Sequence, residues 1–139
     1  MRQALEHLQI DVRGRGLVEI TAQVRDYVAR HSIETGLLTL FCRHTSASLL
    51  IQENADPSVR RDLERYFATI APEDPQRYEH DTEGPDDMPA HLRTALTQVQ
   101  LSIPIEHAAL VLGTWQGVYL FEHRHQAHRR DIVMHVIGE

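Results

Sequence analysis

The chain has 139 residues, of which 42% are hydrophobic and 24% charged, enough for one domain spanning residues 1–139 with a core that needs no covalent staple. Its single cysteine, Cys42, excludes an intramolecular disulfide and a Cys-rich metal knot. A net charge of −6, from 14 basic and 20 acidic residues, argues against duplex nucleic acid, which needs clustered cations to displace condensed counterions.

The opening Met1-Arg2-Gln3-Ala4-Leu5-Glu6 lacks the apolar stretch of a signal peptide, and no run of about 18 apolar residues follows. A cytoplasmic protein without membrane partners is expected. Leu8, Ile10 and Val12 alternate with Gln9 and Asp11, predicting a half-buried strand. Gly14 and Gly16 then break it. Thr21 is placed to cap a short helix carrying Val24, Tyr27, Val28 and His31, and Gly36 ends that unit. Leu37–Phe41 and Ala47–Ile51 read as strands. Asp56-Pro57 starts a helix, with Asp as cap and Pro in the first turn, and Val59, Leu63, Phe67 and Ile70 follow at helical spacing. Residues Pro72 to Pro89 read as loop. A further helix begins at Asp86 or Asp87 and reaches Leu96. Four strands are predicted after it, Gln100–Ile105, Ala109–Leu112, Val118–Glu122 and Asp131–Ile137. Strands outnumber helices without alternating with them, which predicts an α+β fold with a mainly antiparallel sheet.

All the cations are arginine, the side chain suited to a two-pronged grip on carboxylate or phosphate. The 10 histidines supply near-neutral acid–base groups and metal ligands. Four segments collect this chemistry. In His44-Thr45-Ser46, Ser46 reads either as a nucleophile beside its base or as a hydrogen-bonded strand end. In Glu53-Asn54-Ala55-Asp56, Asp56 reads as the helix cap, which leaves Asn54 as a ligand contact. In the third segment, Asp87 and His91 are four apart and share a helix face, with His80 in the loop leading in. Two imidazoles and a carboxylate suit an open metal site with a remaining position for water. A capped helix with two surface histidines is the plainer reading of the spacing alone. In the fourth, Trp115 lies in a Gly-flanked turn, as a plug over a sheet edge or a stacking wall for a ring. If the next strand continues, Glu122 and Arg124 face one side and His123 and His125 the other. Arg124, Arg129 and Arg130 read as phosphate contacts or as ordinary ion pairs.

Taken together, His44-Thr45-Ser46-Ala47-Ser48-Leu49, Glu53-Asn54-Ala55-Asp56-Pro57, Tyr78-Glu79-His80-Asp81, Gly84-Pro85-Asp86-Asp87-Met88-Pro89-Ala90-His91 and Gly113-Thr114-Trp115-Gln116-Gly117 with Glu122-His123-Arg124 resemble the YjbQ family, described as secondary thiamine-phosphate synthases. The resemblance covers nearly the whole chain. It implies a β-sandwich-like core with two or three helices, a homotrimer, a polar pocket near a subunit boundary and weak thiamine-phosphate synthase activity. It also implies pocket roles for His44, Asn54, His80, His91, Thr114, Trp115, Gln116, Glu122 and Arg124. Many relatives carry Gly-Pro-Arg shortly after the position of Glu122. Here the segment runs Glu122-His123-Arg124-His125-Gln126-Ala127-His128-Arg129-Arg130, and the anion contact falls to Arg124, Arg129 or Arg130.

Three functions are therefore expected to compete. The first joins an aminopyrimidine diphosphate to a thiazole phosphate, with Mg²⁺ and the arginines neutralising the diphosphate and Trp115 walling the pyrimidine. The second is a hydrolase of a small phosphorylated compound, with Zn²⁺ on His44, His80 and His91 and Glu122 as general base. The third is a trimer that binds an anionic metabolite without turnover.

Overall fold

From Arg130 to Gly138 every second residue is buried and the intervening ones are only half-buried, the period-two pattern of a strand with one face on a core. That strand lies inside the larger of two sheets, paired on both edges, in the computed structural model, which describes residues 1–139. The elements in order are β1 (Arg2–Val12), β2 (Gly16–Glu19), α1 (Thr21–His31), β3 (Thr35–Cys42), β4 (Ala47–Glu53), α2 (Pro57–Ile70), α3 (Asp87–Leu96), β5 (Gln100–Glu106), β6 (Ala109–Leu110), β7 (Gln116–Glu122) and β8 (His128–Gly138). A short 3-10 turn at Pro75–Arg77 interrupts the loop between α2 and α3. The five-stranded sheet runs β1-β8-β3-β5-β6 and the three-stranded sheet β2-β7-β4. Every pairing is antiparallel.

The inner face of the large sheet contributes Leu38, Leu40, Ile103, Ile132, Met134 and Val136 to one core cluster, which Leu49, Val118 and Leu120 of the small sheet and Val24, Tyr27 and Val28 of α1 complete. Strand β7 is buried on both faces. Its outer face meets the α2 side, where Phe121 packs edge-on against Phe67 at 5.5 Å. The predicted α+β architecture with a mainly antiparallel, sandwich-like core is the one found, with three helices.

Three local expectations are corrected. Thr21 does not cap α1; Ile20 holds that position with no side-chain bond, and the Thr21 hydroxyl instead receives the Val118 N–H at 2.9 Å. The first strand does break after Val12, with Gly14 in the bend that follows, but Gly16 already opens β2, which pairs with β7 from Gly16↔Glu122 to Glu19↔Tyr119. Gly36 lies inside β3 opposite Gly138. Asp56 does cap α2, accepting from the Ser58 N–H at 2.9 Å.

The segment before β5 stitches the two sheets together at one end. Cys42 donates its N–H to Val99 at 2.7 Å and Leu49 donates to Gln98 at 2.6 Å. The loop from β3 to β4, the helix α3 and the loop from β7 to β8 gather at that end. The opposite ends of β4 and β7, with Glu53 paired to Gln116, lie about 20 Å away along strands that rise about 3.4 Å per residue.

Candidate metal centre and adjoining cavity

Helix α3 begins at Asp87, so Asp87 and His91 share a face one turn apart. The loop before it returns His80 to the same point. His80 Nε2 lies 2.7 Å and His91 Nε2 3.3 Å from Asp87 Oδ2. The three ligand atoms fall within 4.8 Å of one another, and the two imidazole rings stand 5.5 Å apart. The other oxygen of Asp87 accepts from Arg124 Nη1 at 2.7 Å. Arg124 Nε holds Asp86 at 3.1 Å, Nη2 holds the Glu83 carbonyl at 2.9 Å, and the His125 N–H also reaches Asp86 at 2.8 Å. Burial alone would raise the Asp87 carboxyl, but the His80 hydrogen bond and the His91 and Arg124 charges outweigh it and hold the group below its ordinary value. Arg124 thus orients the aspartate, as outer-shell partners orient metal ligands.

Two cavities flank this cluster. One, of about 600 Å³, is lined by Phe41, His44, Thr45, His91, Thr94 and Val99 among others. The other, of about 340 Å³, is lined by Tyr78, His80, Asp81 and Met88 among others. His91 and His80 each face one of them.

The remaining predicted site residues disperse. His44 shares the larger cavity with His91 but lies outside the three-ligand cluster. Its Nε2 accepts the Asp131 N–H at 2.8 Å, which removes that nitrogen from metal binding. Glu122 is fully buried. Its oxygens accept from the His123 and Arg124 N–H groups at 3.0 and 3.1 Å and from Arg130 Nε at 2.7 Å. It has no access to a reacting water, so the general-base role expected of it fails on burial. Arg130, also buried, spends itself on Glu122 and on the carbonyl and hydroxyl of Ser46. Ser46 is therefore a strand-end partner of arginine and makes no bond to His44. Arg129 is exposed and paired with Asp11 at 2.9 Å. The alternation expected after Glu122 stops because β7 ends there.

Asn54, Thr114, Trp115 and Gln116 sit at the far end of β4 and β7. Asn54 donates to Glu19 at 3.1 Å, and Gln116 closes its own turn on the Gly113 N–H at 2.8 Å. Trp115 is 62% exposed and plugs nothing in this chain.

Sequence reasoning missed two features. Glu83, exposed, places Oε2 3.8 Å from His80 Nε2. His123 is buried with Nε2 2.9 Å from Ser48 Oγ, and Ser48 is fully buried, so the pair is internal. The 75 residues between them leave no local signal, whereas Glu83 stands three residues from His80 and was legible as part of the same loop.

Fold and site together define a mainly antiparallel α+β protein with a two-histidine, one-aspartate cluster between two cavities. The family model described as UPF0047 protein YjbQ-like matches residues 6–139. The chain is 52% identical over 138 residues to a UPF0047 protein of Synechocystis sp., covering 99% of this chain and 94% of that one. It is 44% identical over 133 residues to YjbQ of Salmonella typhimurium, covering 95% and 96%. Among solved structures, a conserved hypothetical protein of Thermus thermophilus superposes with a TM-score of 0.80 at 37% identity over 92% of this chain and 97% of that chain. A YbjQ-like protein of Sulfolobus solfataricus shares the fold with a TM-score of 0.87 at 23% identity over 99% and 100%. The chain belongs to the YjbQ-like UPF0047 family.

Proposed function

We propose that this protein is a metal-dependent hydrolase of a small phosphorylated compound, with His80, Asp87 and His91 as the ligands. The observation that carries the reading is the convergence of three ligand atoms within 4.8 Å around a carboxylate whose second oxygen Arg124 holds. Two imidazoles with one carboxylate suit a borderline ion such as Zn²⁺, whereas Mg²⁺ favours oxygen ligands. A divalent ion there would polarise a phosphoryl oxygen and acidify a water. The chain's own contribution is orientation and proton transfer. Arg124 fixes Asp87, and Glu83, the exposed carboxylate beside His80, is placed to accept a proton that Glu122 cannot reach.

The transferase reading is less well supported. It needs arginines free to neutralise a diphosphate, and Arg124, Arg129 and Arg130 are each paired with carboxylates. The homotrimer belongs to the proposal as well. The outward face of the large sheet, bearing Leu5, Leu37 and Phe41, is the surface on which copies would meet.

Zinc analysis of protein made without a histidine tag tests the reading. One ion per chain, lost in His80→Ala and His91→Ala together with hydrolysis of p-nitrophenyl phosphate, is expected. Substoichiometric metal that both substitutions leave unchanged would overturn it. Product above the no-protein level from the two thiamine precursors with Mg²⁺ would favour the transferase instead.

A further inference from the structure

We infer that His44 is a fixed neutral hydrogen-bond donor for a ligand oxygen in the larger cavity, presenting Nδ1–H beside the metal cluster, and that it is not a metal ligand. The Asp131 N–H points at His44 Nε2 from 2.8 Å, so Nε2 must offer its lone pair. A neutral imidazole carries one proton, and with Nε2 as acceptor that proton is on Nδ1. A charged ring would set an Nε2–H against the Asp131 N–H, donor against donor. A ring ligating through Nδ1 would need both nitrogens bare of protons. The same contact therefore excludes His44 as a cation and as an ordinary ligand.

The donor is rigidly held. Asp131 lies in β8, paired with Gln9 of β1. Its carboxylate is gripped by His7 Nδ1 at 2.9 Å and Arg43 Nη1 at 2.9 Å. The strand that supplies the orienting N–H is thus anchored on both sides, and a pre-set donor costs no reorganisation when charge develops on a bound oxygen. Nδ1 has no protein partner, while the ring lines the cavity of about 600 Å³ together with His91. That volume lies in the range of small-molecule sites.

The cavity walls select the ligand class. Phe41, Ala95 and Val99 supply apolar surface, and Thr45, Thr94, His44 and His91 supply polar contacts. A phosphate ester with a compact apolar or aromatic body fits this lining. Its body rests on Phe41 and Val99, one phosphoryl oxygen accepts from His44 Nδ1–H, and another faces the cluster through His91. The identity of the phosphoryl group rests on the function proposed above. The tautomer and the donor role rest on the hydrogen bond to Asp131 alone.

The test separates the two. Long-range ¹H–¹⁵N correlation spectra of the intact protein at pH 7.5 read the tautomer of each histidine directly. His44 is expected as Nδ1–H, and titration with phenyl phosphate is expected to move that nitrogen in zinc-loaded protein. His44→Phe should weaken phenyl phosphate binding about tenfold, the worth of one hydrogen bond to a charged group, and leave zinc stoichiometry unchanged. Because the phenylalanine leaves the Asp131 N–H unpaired, the tautomer is read on the unaltered chain, where folding is not in question. An Nε2–H tautomer, zinc lost on substitution, phenyl phosphate affinity unchanged, or no phenyl phosphate binding to the unaltered chain would each overturn the inference. Failure of the unaltered chain to take up zinc would overturn the hydrolase reading alone, because the tautomer and the binding of phenyl phosphate to metal-free protein still decide the role of His44.

Discussion

His123 shows how burial sets the chemistry of a single side chain. Burial first, and then the charges of Arg93, Arg130 and Arg15, push its pKa down to about 3, so the folded protein keeps it neutral. The ordinary value is about 6.5 in an unfolded chain. Above pH 6.5 both states are neutral and His123 contributes no pH dependence. Below it the unfolded chain binds a proton that the native chain refuses, so stability falls by about 1.4 kcal/mol per pH unit until the pH nears the folded value. His44, whose pKa burial and Arg130 also lower, acts in the same direction. Unfolding free energies from urea titrations at pH 8 and pH 5 should therefore differ by about 2 kcal/mol from His123 alone, and His123→Gln should remove about one proton from that slope. A variant with the slope of the unaltered chain would count against a neutral buried imidazole. The paired carboxylates, Asp86 and Asp131 among them, are held below their ordinary value and titrate at lower pH, outside this window.

At the scale of elements, Gly36, read in the sequence as the end of the first helical unit, proves to be a place where strands approach closely. An added Cβ at Gly36 would meet the Ile137 carbonyl oxygen at 2.3 Å and Ile33 Cγ2 at 2.9 Å. Backbone atoms cannot yield as a flexible side chain does, and overpacking of this kind costs about 1–3 kcal/mol. Gly36→Ala should lower thermal stability by several degrees and loosen the β3–β8 pairing, seen as faster amide exchange at Leu37 and Ile137. Unchanged melting and exchange would refute the close approach. The helices were more legible. Asp56 at the cap and Pro57 in the first turn announced α2, and the four-residue spacing of Asp87 and His91 was enough to put both on one face of α3. What spacing could not say is which third group joins them. His80 enters because the loop folds back on the helix, and His44 stays apart because a backbone N–H of a strand 87 residues away claims its nitrogen.

At the scale of the molecule, one face of the large sheet carries no covering layer. Leu5, Leu37 and Phe41 are 61%, 37% and 46% exposed on it. The rows that cross it include Gln3, Ile137, Leu37 and Pro104, and then Leu5, His135, Thr39 and Ser102. Neither row holds an acid or an arginine, so a second copy can lie against it without burying an unpaired charge. Light scattering of the purified protein should give the mass of three chains, and Phe41→Asp should shift it to one. A monomer before substitution, or an unmoved trimer after it, would place the contact elsewhere. No helix is long and apolar enough to cross a membrane.

Composition, alternation and capping residues determined the α+β class, most strands, both later helices and the shared face of Asp87 and His91, because each depends on contacts a few residues apart. The partition of the polar residues was decided only by tertiary structure. Strand register sent Glu122 and Arg130 into a buried pair, and the length of β4 and β7 carried Asn54 and Trp115 to the opposite end. The return of the loop after α2 brought His80 to Asp87. Such placements arise from pairings between distant segments, and in a linear chain no local pattern records which distant groups will share a hydrogen bond.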